Sequence, residues 1–142
     1  ERLQNLIKNA TDRDRQDMAR AAFDRLVELG IPSTVSGPVD RAFWRTVVAY
    51  ETFRSQDAGR TVRASRTRQK ANRASPREII AELMLRRLPS EGFAFLRSRG
   101  RLDLAFEHIV LGHRKEFSPE VVAAAERRLA EATGAQPPPA HY

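Results

Sequence analysis

The stretch VDRAFWRTVVAYETF, residues 39–53, decides what kind of fold this chain can form. Its apolar side chains recur at helical spacing and occupy two faces of the helix instead of one. The first face carries Val39, Phe43, Val47, Tyr50 and Phe53, and the second carries Trp44 and Val48. A helix that is apolar on two faces has to be covered on both of them. We therefore predict a central, largely buried helix.

Upstream of this helix, the sequence predicts one more long helix. Thr11 and Asp14 form a capping pattern at its start, and Gly30 is a typical helix end. Apolar residues at helical spacing then define the face that we expect to point inward: Ala19, Ala22, Phe23, Leu26 and Leu29.

The segment that joins the two helices is locally similar to the middle of a helix-turn-helix motif. It reads LVELGIPSTVSG over residues 26–37, with a Leu-Gly helix end followed by a short turn. Gly37-Pro38 interrupts the helix that would have to enter a DNA groove, and that helix carries no charge. An ordinary interhelical loop is therefore the alternative interpretation.

Downstream, proline and serine mark three further helix starts. Ser75-Pro76 with Glu78 forms a capping box, Pro89-Ser90 precedes EGFAFLRSRG, and Ser118-Pro119 opens the last helix, which ends at Gly134. RLDLAFEHIVLGH, residues 101–113, reads as one apolar helix. The positions expected in the core are Ile79, Ile80, Leu83, Met84, Leu88, Leu102, Phe106, Ile109, Val110, Val122, Ala125 and Leu129.

These patterns together predict an all-α fold of about six helices with short loops, forming a single domain over residues 1–134. Residues 135–142 are proline-rich, and we expect a disordered tail there. The chain has no cysteine, which excludes disulfides, thiolate zinc sites and thiol nucleophiles. No apolar run is long enough for a membrane span and the N-terminus lacks a signal peptide, so we expect a cytoplasmic protein without membrane contact. Because the chain begins at Glu1, an additional domain of a longer protein is also consistent with the sequence.

The positive charge of the chain is concentrated in one stretch, RTVRASRTRQKANR, residues 60–73. This basic segment holds six cations and no acid, whereas residues 1–59 hold nine of each sign and residues 74–142 hold ten basic and nine acidic side chains. Nearly all of the net charge of +7 therefore comes from the basic segment. Its intervening residues are small or polar, so we expect an exposed helix or loop with no apolar face to pack.

We interpret the basic segment as a nucleic-acid contact. Arg63, Arg66, Lys70 and Arg73 would share one stripe of a helix, where cations can follow a phosphate backbone. The predicted contact residues are Arg60, Arg63, Arg66, Arg68, Lys70 and Arg73. The segment has no aromatic residue for stacking on single strands, which favours a duplex. The alternative is a protein-interaction or regulatory module that uses the same face on an acidic partner.

No enzymatic motif stands out in the sequence. His108 and His113 are five residues apart, which is the wrong spacing for two metal ligands on one helix face. The chain lacks a glycine-rich phosphate loop and a Gly-x-Ser-x-Gly motif. We therefore predict no catalytic residue, no metal site and no cofactor within this chain. Two smaller basic clusters, residues 97–101 and 113–115, are candidates for extending the basic surface.

Overall fold

A computed structural model describes residues 2–134, apart from the side chains of residues 3 and 10. Its described part contains seven α-helices and two short 3-10 turns and no β-strand, which confirms the all-α prediction. The predicted tail at residues 135–142 lies outside the described residues. The helices are α1 (Arg2–Gly30), α2 (Pro38–Ala58), α3 (Ser65–Ala71), α4 (Pro76–Met84), α5 (Glu91–Ser98), α6 (Phe106–Gly112) and α7 (Pro119–Thr133).

Helix α1 is longer than predicted at its N-terminal end. Thr11 does not cap it but lies inside the helix, where its hydroxyl donates a hydrogen bond to the carbonyl of Ile7 at 2.9 Å. A threonine inside a helix satisfies its hydroxyl in this way without ending the helix. The predicted end at Gly30 is confirmed.

The inward face of α1 also differs from the prediction. Leu26 and Leu29 are 53% and 67% exposed, while Val27 is buried and Phe23 stacks on Phe53 of α2 with ring centroids 4.1 Å apart. Only the C-terminal part of α1 meets another helix, since its described side chains before Phe23 are exposed. The periodicity of apolar residues shows which residues share a face of a helix, but it does not show which face packs against another helix.

The segment between α1 and α2 is an ordinary loop. Residues 31–37 contain no helix, and the next helix begins at Pro38 after Gly37, whose φ of 95° suits glycine. Close packing of the two helices depends on Gly30, because a Cβ at this position would lie 2.7 Å from Cγ1 of Val48. The helix-turn-helix resemblance therefore does not extend to the structure.

Helix α2 is the central helix, as predicted. It contributes Val39, Phe43 and Val47 to one core cluster and Val48 and Ala49 to a second. The first cluster also contains side chains of α4, α6 and α7, and the second contains side chains of α1, α5 and α7. Both predicted apolar faces of α2 are therefore covered.

The predicted serine caps at Ser75 and Ser118 are confirmed, and Ser90 also caps α5. The hydroxyls of Ser75, Ser90 and Ser118 accept hydrogen bonds from the backbone N–H groups three residues further on, at 3.2 to 3.3 Å. Proline occupies the first position of α4 and of α7. These local signals fix where α4, α5 and α7 begin because they satisfy helix donors that have no partner within the helix.

Two details of the C-terminal half differ from the prediction. Residues 101–113 do not form one helix, because a 3-10 turn at Leu102–Leu104 and the extended backbone of Ala105 precede α6. Helix α4 ends at Met84, so Leu88 lies beyond it and is 72% exposed. Within residues 2–134, no helix combines the length and the apolar character that crossing a bilayer requires.

Candidate functional site

The basic segment lies between α2 and α4 and is anchored to α2 at two points. The hydroxyl of Ser55 accepts a hydrogen bond from the N–H of Val62 at 2.9 Å. Glu51 accepts one from the N–H of Ala64 at 2.8 Å, directly before α3 begins. Helix α3 has no cap from its own sequence, so Glu51 of α2 supplies the acceptor that its first turn needs.

Glu51 binds the basic segment most strongly through Arg68. Glu51 is 4% exposed, and each of its two carboxylate oxygens accepts a hydrogen bond of 2.6 Å from the Arg68 guanidinium. Burial alone would raise the pKa of Glu51, but the hydrogen bonds from Arg68 and Ala64, together with the charge of Arg68, hold this pKa below its usual value. Glu51 is therefore a buried, ionised carboxylate.

Arg68 points inward and is occupied by protein contacts. Its guanidinium lies 5.3 Å from the centroid of the Trp44 ring in addition to its two bonds to Glu51. The hydrogen bond to Glu51 raises the pKa of Arg68 further above its usual value. The structure thus places this predicted phosphate contact in a structural ion pair.

The expectation that the basic segment has no apolar face is wrong. Ala64 and Ala71 pack against the core cluster of α2, α4, α6 and α7. The small side chains of Ala64 and Ala71 let α3 approach this core closely. Arg68 neutralises the charge of Glu51 by forming an ion pair with it. Helix α3 is therefore a packed element and not a detached basic arm.

Lys70 is also partly neutralised, but on the surface. Its Nζ lies 3.2 Å from Glu82 of α4, which also accepts a hydrogen bond of 2.9 Å from Arg86. The hydrogen bond from Arg86 and then that from Lys70 lower the pKa of Glu82. Such exposed ion pairs are weak, so both cations remain available to another anion.

The remaining predicted residues point to solvent. Arg60, Arg66 and Arg73 are exposed, and no carboxylate of residues 2–134 lies within ion-pairing distance of them. The side chain of Arg63 is 61% exposed and reaches Glu51 only at 3.5 Å. The structure therefore separates Arg68, whose guanidinium is engaged by Glu51 and Trp44, from five cations that are unpaired or weakly paired within the described residues.

Beside these cations lies a cavity of about 680 Å³, which we call the α3 cavity. It is bounded by α2, α3, α4, α5 and the beginning of α6. Its charged lining includes Arg63, Arg66, Lys70 and Arg86, all with solvent-accessible side chains. Apolar lining comes mainly from Val47, Val62, Ile79, Leu83, Phe93, Leu96 and Phe106.

The α3 cavity also borders one buried carboxyl group, that of Glu107. This residue is 2% exposed and lies 3.5 Å from the guanidinium of Arg128. Burial raises the pKa of Glu107, and a hydrogen bond from its own backbone N–H, together with the charge and hydrogen bond of Arg128, offsets this effect only in part. Arg128 is occupied elsewhere, because it donates hydrogen bonds to the carbonyls of Leu83, Arg86 and Leu88 at 3.0, 2.6 and 3.3 Å.

Sequence reasoning missed Glu51, Glu107, Arg128 and Arg86 as parts of this site. A signal existed for the two acids, because each occupies a position within an apolar helical pattern: Glu51 lies four residues after Val47, and Glu107 lies in LAFEHIV. A charged residue in a core position needs a partner, which is a reason to examine it. No local pattern indicates that Arg86, which lies two residues beyond the end of α4, would join the cations of α3.

The two smaller basic clusters are partly neutralised: Arg97 and Lys115 are exposed and form no ion pair with the described residues, whereas other members are paired. Arg101 is buried and forms ion pairs with Asp24 at 2.8 Å and with Asp103 at 3.1 Å, which links α1 to the 3-10 turn. Arg99 is paired with Asp57, and Arg114 with Glu126. These residues mainly connect helices.

The described residues contain no group of three or more His, Cys, Asp or Glu side chains placed to hold a metal ion. His108 is exposed, and Nδ1 of His113 lies 3.0 Å from the carbonyl of Ile109 in the same helix. Searches against models of protein families, curated proteins and solved structures found no match to the chain.

Proposed function

We propose that this protein binds the phosphate backbone of nucleic acid through the outward cations of the basic segment. One observation carries the proposal: Arg60, Arg66 and Arg73 are exposed, and no carboxylate of the described chain neutralises them. Arg68 is excluded from the contact set because Glu51 and Trp44 occupy it.

The spacing of the outward cations supports contact with a polyanion. Arg66, Lys70 and Arg73 follow one another at intervals of four and three residues and so lie on one side of α3 and the turn after it. Exposed cations in such a row release counterions from a phosphate backbone when they bind it. The basic segment has no aromatic residue that stacks on bases, which favours contacts to duplex phosphates.

The decisive experiment compares two variants with the same change in charge. In the first, Arg60, Arg66 and Arg73 are replaced by alanine; in the control, Arg13, Arg15 and Arg127 are replaced, which are exposed arginines outside the basic segment. Affinity for labelled duplex DNA and duplex RNA is measured over a salt series, and thermal unfolding verifies that each variant is folded.

We expect the wild type to bind with a steep salt dependence, and the slope of log K against log salt to fall by about 0.9 for each phosphate contact that the first variant loses. The control variant should retain the wild-type slope. If the folded wild type does not bind either duplex at low salt, nucleic acid is excluded, and an acidic protein partner becomes the function to test. Equal losses in the two variants would show that net charge, and not the basic segment, is responsible.

A further inference from the structure

The α3 cavity combines exposed cations with an apolar interior, and the backbone contacts proposed above do not use that interior. A surface that only follows a phosphate backbone does not require a concave apolar space. The volume of about 680 Å³ lies in the range of about 300 to 1,000 Å³ that is typical of small-molecule sites. The lining of the cavity is therefore complementary to a ligand that has both an anionic and an apolar part.

We propose that the α3 cavity binds a single nucleotide, with its phosphate at Arg63, Arg66, Lys70 and Arg86 and its base among the apolar lining. This inference goes beyond the proposed duplex contacts: where the nucleotide belongs to a bound strand, that strand is single-stranded and shares only the phosphate contacts of the basic segment with the proposed function. A free mononucleotide is the other source of the same chemistry, and the experiment below separates the two.

The anionic part of the ligand follows from the balance of charge at the cavity. Four cations line the cavity, and the ion-pair partners of Arg63, Lys70 and Arg86 are Glu51 and Glu82. The two acids of the lining, Glu91 and Glu107, pair with Arg54 and Arg128 instead. Glu51 is already satisfied by Arg68, and Glu82 is shared between Lys70 and Arg86. Arg66 has no such partner among the described residues. A phosphate group supplies the missing negative charge and several acceptors for arginine donors.

The apolar part of the ligand follows from the side chains behind the cations. Phe93, Phe106 and Tyr50 border the cavity together with aliphatic side chains. Aromatic and aliphatic walls of this kind accommodate a planar base, and stacking contributes about 1 to 3 kcal/mol per base in known single-strand binders. The aromatic residues that the basic segment lacks are thus provided by α2, α5 and α6.

Glu107 supplies a polar group at the buried side of the cavity. It is the most deeply buried charged residue of the lining, and its only side-chain partner among the described residues, Arg128, lies at 3.5 Å. A carboxyl group can form hydrogen bonds with the polar edge of a base, which an aliphatic chain lacks. This distinguishes a nucleotide from a lipid phosphate as the occupant.

Gly92 offers a way to fill the cavity without a change in charge. It borders the cavity, has no positive φ, and an added Cβ would meet no atom closer than the Ser90 Oγ at 3.8 Å. Gly92→Leu should therefore fold and place a side chain at the cavity wall. Gly112→Leu is the matched control, because Gly112 is exposed, helical and remote from the lining, with open space at its Cβ.

The experiment measures binding of a free nucleoside monophosphate, of inorganic phosphate, of a single-stranded oligonucleotide and of a blunt duplex to the wild type and both variants. For a free nucleotide site, we expect the monophosphate to bind at least about tenfold more tightly than inorganic phosphate, and Gly92→Leu to remove this difference. For a nucleotide within a strand, Gly92→Leu should weaken only the single-stranded oligonucleotide. Gly112→Leu should change neither result.

Methyl-resolved NMR of the wild type locates the bound ligand independently of the variants. The methyl signals of Val62 and Ile79, which border the cavity, should shift on addition of the ligand that binds, while those of Val27 and Ile31 should not. The inference is overturned if Gly92→Leu alters no affinity and the cavity methyls do not respond, or if inorganic phosphate binds as tightly as the monophosphate and Gly92→Leu leaves binding of the single-stranded oligonucleotide unchanged. Because duplex binding is measured in parallel, loss of the cavity inference with retained salt-dependent duplex binding would leave the proposed function intact.

Discussion

Two regions of this protein bury a glutamate beside an arginine, and the two carboxyl groups behave in opposite ways. Between α2 and α3, Glu51 receives two hydrogen bonds of 2.6 Å from Arg68 and one from a backbone N–H, and its pKa is lowered. Between α6 and α7, Glu107 lies 3.5 Å from Arg128, and burial raises its pKa. The presence of an arginine therefore does not decide the direction in which the pKa of a buried carboxyl group shifts.

The difference comes from where each arginine directs its donors. Arg68 directs its Nε and one Nη donor to the two carboxylate oxygens of Glu51, so the short bonds more than offset the loss of water. Arg128 directs its donors mainly to the backbone carbonyls at the end of α4. Helix ends leave such carbonyls without partners, and a buried cation satisfies them well. We conclude that the hydrogen bonds of Arg128 mainly stabilise the C-terminal end of α4 and the turn after it, and that its interaction with Glu107 is the weaker one.

Removal of Arg128 should have the largest effect. Arg128→Ala leaves the carbonyls of Leu83, Arg86 and Leu88 without their buried donor and opens space beside Glu107. We expect a loss of about 3 kcal/mol or more in the free energy of unfolding, measured by urea denaturation. The control is Arg127→Ala on the same helix, an exposed residue for which we expect a change within about 0.5 kcal/mol. Similar small effects of both variants would contradict the capping role of Arg128.

Removal of the charge of Glu51 should have the second largest effect. Glu51→Gln keeps the shape of the side chain but leaves Arg68 with one neutral acceptor, and we expect a loss of about 2 kcal/mol at neutral pH. Because the folded-state pKa of Glu51 is lowered, its stabilising effect is present above the usual value of 4.5 and is lost as the pH falls through the folded-state value. The difference between wild type and variant should therefore shrink in acid.

The matched control for this prediction is Glu131→Gln, which removes one exposed carboxylate of α7. Its unfolding free energy should stay close to that of the wild type between neutral and acid pH. If Glu51→Gln were as mild as this control, the bonds to Arg68 and Ala64 would not stabilise α3, and the assignment of Arg68 to structure would be wrong.

The same contrast shows what sequence reasoning can and cannot reach in this protein. Short-range signals predicted the fold class and most of the elements, because a serine cap or a proline at a helix start acts within a few residues. Leu26 and Leu88 were misplaced because burial depends on which helices meet, and that is decided by distant parts of the chain. For the same reason the sequence did not indicate that Glu51 and Glu82 would pair with cations of the basic segment.

The smallest change in stability, and the sharpest test of the contrast, concerns Glu107. At neutral pH, Glu107→Gln should change the free energy of unfolding by less than about 1 kcal/mol, because burial of the carboxylate costs free energy that its distant partner recovers only in part. Since the folded-state pKa of Glu107 is raised, its contribution is fully present below 4.5, the usual pKa, and is lost as the pH rises through the folded-state value. The wild type should therefore gain stability relative to Glu107→Gln as the pH falls towards 4.5, whereas it loses stability relative to Glu51→Gln in acid. Urea denaturation of the three proteins over this pH range measures how the stability difference between the wild type and each variant changes with pH. If both differences changed with pH in the same direction, the two buried pairs would be equivalent, and Arg128 would bind Glu107 as tightly as Arg68 binds Glu51.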